Sequence, residues 1–201
     1  EYYTLLLFAC VGMMFMAAGT DLITIFLGLE TMSIAVYILA GFVKKDPKGS
    51  EAAIKYMLLG AFSTGLLLYG IALIFGATGS TNLAAIFAYL QGAERTASPM
   101  LLFGLALLMA GFGFKVAAVP FHMWTPDVYE GAPTPVTAFL SIGSKAGGFV
   151  VGLRLLVDVF GKQSQDWVIV VAALAILSMV VGNLVALAQK SFKRMLAYSS
   201  I

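Results

Sequence analysis

A chain of 201 residues that is 61% hydrophobic and 11% charged, with a mean hydropathy of +0.97, carries more apolar surface than a soluble domain of that size can bury. The excess must face lipid, so the sequence reads as an all-α, polytopic membrane protein. A net charge of +2, with the basic residues scattered through short loops, excludes a nucleic-acid partner, and the single cysteine, Cys10, excludes an internal disulfide and a thiolate metal site.

In chain order, residues 2 to 42 form one apolar run interrupted by Gly19-Thr20-Asp21 and by Glu30. A spanning helix takes ~20 residues, so this run is two passes, 2–19 and 21–42. Lys44, Lys45, Asp46, Pro47 and Lys48 end the second pass, and a third helix is expected over 51–76. Ala77 to Ala97 reads as a connection bearing Gly and Ser, with a short amphipathic piece from Leu83 to Leu90. The stretch from Pro99 to Gly131 is too long for one straight span and is read as two half-helices, 99–120 and 125–131. Pro120 is the expected break, because it has no N–H for the carbonyl of Val116 and its ring clashes with that carbonyl. The second half carries its own start signal: Thr125 as N-cap, Pro126 in the first turn, and Asp127 and Glu130 favourable to the helix dipole. Thr134-Pro135 repeats the signal for a fifth helix, 134–158; a sixth covers 166–189, and another begins at 191–201. The first residue is Glu1, not Met, and an apolar segment opens at the very end, so the chain is expected to be a piece of a longer polytopic protein.

Orientation follows from the loops. Four passes separate the Lys44 to Lys48 loop from the Lys190 to Arg194 loop, which puts six basic residues on one side against Arg95 and Lys162 on the other. The basic side is expected to be cytoplasmic.

Charges inside the spans are the candidate functional residues. Glu30 lies nine residues from Asp21 and roughly 18 Å of helix rise from Phe42, near mid-membrane. Lys145 is similarly central, ten residues past Pro135. Lys115 sits late in its helix, five residues before Pro120. Lys55 has two readings, a relay group or a side chain snorkelling to the interface. His122, the only histidine, falls at the break; it either bridges proton sites or satisfies freed carbonyls. A static ion pair between Glu30 and a lysine is the structural alternative for the interior charges.

Lysine and carboxylate in this setting suit proton transfer. Burial disfavours the ammonium and a nearby carboxylate favours it, so the proximity of Glu30 would decide whether Lys115 keeps its proton. The expected path is lateral, from Glu30 and Lys55 through Lys115 and His122 to Lys145. Nucleophile triad, phosphate loop, metal cluster and dinucleotide fingerprint are all missing from the sequence, so the chain is expected to bind no cofactor or metal and to do no redox chemistry itself.

Five stretches carry a resemblance: Phe26-Leu-Gly-Leu-Glu-Thr-Met-Ser33; Lys55-Tyr-Met-Leu-Leu-Gly-Ala-Phe-Ser63; Phe114-Lys-Val-Ala-Ala-Val-Pro-Phe-His-Met-Trp-Thr-Pro-Asp-Val-Tyr-Glu-Gly-Ala-Pro133; Ser144-Lys145; and Lys193-Arg-Met-Leu-Ala-Tyr-Ser-Ser200. The chain resembles, over essentially all its length, the antiporter-like membrane subunits of respiratory complex I, the proton-pumping NADH:quinone oxidoreductase, and within them the N-subunit branch. The run from Trp124 to Pro133 carries the branch, since sister subunits and multisubunit sodium/proton antiporters read closer to Trp-Leu-Pro-Asp-Ala-His there. The resemblance implies an antiporter-like bundle of about fourteen helices with two inverted repeats, each holding one broken helix, of which this chain would be the first repeat and the opening of the second. It implies Glu30 as the carboxylate of an ion pair with Lys55, Lys115 as the central lysine and Lys145 as the connecting one. It also implies other membrane subunits as partners, with NADH, FMN, iron–sulfur clusters and quinone in partner subunits, and a cell inner membrane or an organelle membrane as the location. A multisubunit cation/proton antiporter, a membrane-bound hydrogenase relative and a membrane scaffold are the alternatives.

Overall fold

The computed structural model describes residues 1–92 and 98–201, and these form helices joined by short turns. In chain order the helices are α1 (Tyr2–Ala18), α2 (Leu22–Ala40), α3 (Pro47–Thr78), α4 (Leu83–Gln91), α5 (Pro99–Val116), α6 (Thr125–Gly131), α7 (Thr134–Val159), α8 (Ser164–Leu187) and α9 (Phe192–Ser199). Among the described residues, five helical stretches are long and apolar enough to cross a membrane: α2, α3, α5, α7 and Gly161–Leu187, which contains α8. Helix α1 is apolar but, at 17 residues, about 25 Å long, a little short of the ~30 Å hydrocarbon core.

Side chains cap four of the starts. Asp21 accepts from the N–H of Ile23, Asp46 from Lys48, Asn82 from Ala84 and Ala85, and Ser98 from Leu101. These caps satisfy backbone donors that a helix leaves free at its N-terminus. Asp46 and Pro47 begin α3 four residues earlier than its apolar run does, and Gly79, at φ 74°, closes it in the left-handed conformation.

Helices α1 and α2 form a tight antiparallel hairpin. A Cβ on Gly12 would lie 2.5 Å from the backbone nitrogen of Met32, and one on Gly28 would lie 2.8 Å from the carbonyl oxygen of Gly12. Backbone therefore meets backbone, the contact that small residues permit between membrane helices. The turn of this hairpin is clipped to the start of α4 by an antiparallel bridge between Asp21 and Asn82 and by Thr81, which donates to Asp21 Oδ2 at 2.8 Å. At the same edge Arg154 Nη1 donates to the carbonyls of Ala17 and Gly19, closing the free end of α1. Helix α3 packs against α2, α5 and α6, and α9 packs against α6 and α8.

Three local expectations change. Helix α5 ends at Val116, not Pro120: Ala117 takes the left-handed conformation at φ 61°, and the N–H of Ala118 closes onto the Gly113 carbonyl at 2.8 Å. Pro120 disfavours helical backbone at Val119, so the chain leaves the helix a turn before the proline. Thr125 is the first residue of α6, not its cap; Trp124 stands at the cap position and makes no side-chain cap bond. Helix α7 contains two π-helical segments, Leu140–Ser144 and Arg154–Val159, that periodicity does not foretell. Arg95, counted in the orientation argument, lies outside the described residues.

Candidate functional site

The break after α5 is held by aromatic packing. Trp124 is 1% exposed, stacks on Tyr56 at 4.3 Å between ring centroids, and donates its Nε1 to the carbonyl of Phe114 at 2.9 Å. That bond adds a second donor to a carbonyl in the last turn of α5, which also accepts from the N–H of Ala117 at 3.1 Å. The N–H of Val119 goes to Ser178 Oγ on α8 at 2.9 Å. These backbone groups at the break are thus paired by protein, as lipid-depth backbone requires.

This arrangement fixes Lys115 on the last turn of α5 with only 1% of its surface exposed. Its Nζ donates to Ser33 Oγ at 2.6 Å and to Tyr37 Oη at 3.3 Å, both on α2. The rings of Tyr37, Phe114 and Tyr56 surround the amine at 5.3, 5.9 and 6.0 Å. Such faces stabilise a cation without neutralising it. Glu30, one turn before Ser33, acts on Lys115 through space but does not bond it; its Oε1 accepts from Thr64 on α3 at 2.8 Å.

Lys145 begins the regular helix that follows the first π segment of α7 and is 6% exposed. Its Nζ donates to the carbonyl and, at 2.9 Å, to the hydroxyl of Ser200, and lies 6.0 Å from the centre of the Tyr129 ring. One turn on, Gly148 lets α7 approach α5: a Cβ there would sit 2.9 Å from Val116 Cγ1 and 3.6 Å from Lys115 Cβ. The structure therefore gathers Glu30, Lys115 and Lys145 in one interior region. A π segment immediately before Lys145 is the kind of irregularity often met at functional positions.

Lys55 and His122 are placed elsewhere. Among the described residues Lys55 pairs with Glu51 at 2.7 Å and Asp127 at 2.8 Å, and no cation lies within ion-pair distance of Glu30. The Glu30–Lys55 pair implied by the resemblance is corrected accordingly. Its absence has a geometric cause: the α3 residue opposite Glu30 is Thr64, nine residues or ~13 Å of helix rise beyond Lys55. Asp127 is shared with Arg194 at 2.9 Å, and Arg194 also binds Glu130 at 2.9 Å, so α3, α6 and α9 meet in a charged cluster. Gly131 lies against the carbonyl of Lys48, in the first turn of α3, which puts this cluster at one end of the bundle; its α6 and α9 members lie outside the five spans. The guanidinium of Arg194 holds the Glu130 carboxyl below the usual range. His122 is partly exposed in the α5–α6 break; its ring centroid lies 6.3 Å from that of Tyr198, and its Nδ1 is buried without a partner among the described residues. It does not reach the interior lysines.

Sequence reasoning passed over Ser33, Tyr37 and Thr64 as site residues and treated Asp127 only as a dipole partner. For the first two a signal was present: Glu30, Ser33 and Tyr37 fall at i, i+3 and i+7, one face of a helix. Nothing comparable marks Thr64 or the Asp127–Arg194 contact, which join residues 34 and 67 positions apart.

The family model for the transmembrane region of NADH:quinone oxidoreductase and Mrp antiporter subunits matches residues 19–201. The chain belongs to this family. It is 58% identical over 201 residues to the NADH-quinone oxidoreductase subunit N of Trichlorobacter lovleyi, covering all of this chain and 41% of that protein. It is 54% identical over 202 residues to the NAD(P)H-quinone oxidoreductase subunit 2 of a Synechococcus species, covering 38% of it. The chain thus spans about two fifths of the length of the curated relatives it matches. Among solved structures it is similar to a chain of respiratory complex I from Thermus thermophilus, with TM-score 0.83 and 44% identity over 99% of this chain and 42% of that one. An archaeal membrane-bound sulfane sulfur reductase chain gives 0.87 at 34% identity, covering all of this chain and 40% of the other. A chain of the Mrp complex from Dietzia gives 0.86 at 23% identity over 98% and 36%, a likeness of fold alone. The all-α, antiporter-like membrane fold expected from the sequence is the fold of these family members.

Proposed function

We propose that the chain is part of a proton-translocating membrane subunit of NADH:quinone oxidoreductase. The supporting observation is the pair of buried lysines, Lys115 and Lys145, each held by neutral oxygens inside an apolar bundle. A lysine sealed from water and lacking a bonded carboxylate is retained at a cost in stability, and intramembrane ionisable groups of this kind mark ion and proton pathways. Identity of 58% with a subunit N across the whole chain supports the oxidoreductase over its relatives.

In this reading the inner relay runs from Glu30 through Lys115 to Lys145. Lys55, with Asp127, stands at the edge of the bundle toward one end of it, and His122 stands beside the helix break. The amines accept and donate protons; the aromatic wall of Tyr56, Phe114 and Trp124 keeps the path narrow. Electron transfer from NADH, flavin and iron–sulfur chemistry and quinone reduction belong to partner subunits, and the chain works in an inner or thylakoid-type membrane among other membrane subunits.

The test is NADH-driven proton uptake by inverted membrane vesicles containing the full-length protein with Lys115→Ala, with assembly of the complex measured alongside. Loss of pumping in an assembled complex is expected. Normal pumping with normal assembly returns Lys115 to a packing role. The matching family also takes in Mrp antiporters, which supplies the second reading, a cation/proton antiporter; vesicles without NADH-linked pumping that exchange cations for protons in a Lys115-dependent way decide for it.

A further inference from the structure

The seat of Lys115 holds more than the relay requires. Ser33 Oγ donates to the carbonyl of Leu29 at 2.5 Å, so its one proton is committed and its lone pairs are left as acceptors. One of them takes the Lys115 N–H at 2.6 Å. Tyr37 Oη accepts a second N–H at 3.3 Å and also faces Ser33. Both residues are buried, and both stand on the face of α2 that carries Glu30.

Tyr37 can reach the amine only because α3 has no side chain at one position. A Cβ on Gly60 would fall 1.9 Å from Tyr37 Oη and 2.6 Å from its Cζ. Real Cβ contacts never come so close, and the ring also meets Tyr56, one turn before Gly60 on α3, 4.7 Å away and edge-on. The titratable groups facing the amine are Tyr37 and, through space, Glu30 from α2, and Tyr56 from α3; α5 presents the Phe114 ring and α7 presents Gly148.

We propose that Ser33 and Tyr37 are positioning residues whose two hydroxyls seat the Lys115 amine one helical turn from Glu30, with Gly60 as the clearance that admits Tyr37. The proposal rests on the relay reading. An ammonium has three N–H groups; the seat takes two and leaves one for the next proton acceptor. Both acceptors are neutral, so they orient the amine without forming the ion pair that would trap its charge.

The experiment places Ser33→Ala, Ser33→Thr, Tyr37→Phe and Gly60→Ala in the full-length protein within the assembled complex, beside Lys115→Ala, and measures protons taken up per NADH oxidised in inverted vesicles. Losing one hydrogen bond to the amine is expected to lower the ratio about threefold to tenfold in Ser33→Ala and Tyr37→Phe, with assembly and protonophore-released NADH oxidation unchanged. Ser33→Thr, which keeps a hydroxyl able to bond Leu29, is expected to pump normally. Gly60→Ala is expected to behave like Tyr37→Phe; if it fails to assemble, Tyr37→Phe, which removes one oxygen and adds no bulk, decides. Normal pumping in Ser33→Ala and Tyr37→Phe beside lost pumping in Lys115→Ala overturns the seat and leaves the relay standing. Ser33→Thr failing as badly as Ser33→Ala also overturns it, since packing rather than the hydroxyl then matters. Normal pumping in Lys115→Ala overturns the relay and the seat together.

Discussion

Two groups of cations in this bundle are treated in opposite ways. At the edge, Lys55 and Arg194 are a third or more exposed and are surrounded by the carboxylates of Glu51, Asp127 and Glu130. In the interior, Lys115 and Lys145 are almost wholly buried and bond only hydroxyls and a carbonyl. Coulomb's law assigns much larger energies to the same ion pair in the interior than at the edge. Carboxylates at the edge therefore join helices without freezing any charge. A carboxylate bonded to Lys115 would hold the proton far more tightly. The contrast shows where the molecule uses charge as mortar and where it leaves charge able to move.

The strongest way to break this contrast is to make the interior resemble the edge. Ser33→Asp puts a carboxylate where Lys115 now finds a hydroxyl, and pumping by the full-length protein in inverted vesicles is expected to fall at least about tenfold although Lys115 is intact and the complex assembles. Pumping at the normal rate would show that neutral acceptors are not required. Next comes Asp127→Ala, which takes from Lys55 and Arg194 the one carboxylate they share. It is expected to weaken the α3–α6–α9 junction by at most about 1 kcal/mol after solvent screening, read as a small drop in the melting temperature of the purified complex, with pumping per NADH preserved. A loss of pumping as deep as that of Lys115→Ala would place the edge cluster inside the relay. The smallest effect belongs to Glu51→Ala, an exposed i, i+4 partner of Lys55: no measurable change in melting temperature or pumping is expected, since such pairs contribute little.

Much of this was legible in the chain itself, for identifiable reasons. Glu30, Lys115 and Lys145 stand out because a charge in an apolar run is rare, and their depth follows from counting residues to the nearest loop. The helix starts near Asp21, Leu83 and Pro99 were readable because hydropathy and first-turn residues act between neighbours in sequence, whereas α3 begins at Asp46 and Pro47, ahead of the apolar run expected from residue 51. The Ala117 turn was not readable. An alanine at φ 61° has no local preference for that conformation; the side chains of Trp124 and Ser178, ten and fifty-nine positions from the groups they bond, hold the backbone on either side of it.

Partner choice was equally beyond the sequence. The family resemblance implied that Glu30 pairs with Lys55, but two antiparallel helices meet in a fixed register, and that register sets Thr64 opposite Glu30 and carries Lys55 to Asp127. The sequence by itself determined that the protein lies in a membrane, which residues carry charge into the apolar layer, and roughly where each helix begins, because hydropathy and capping act over a few residues. Only the tertiary structure decided which oxygen each lysine meets, because those contacts join residues up to 82 positions apart through the packing of whole helices.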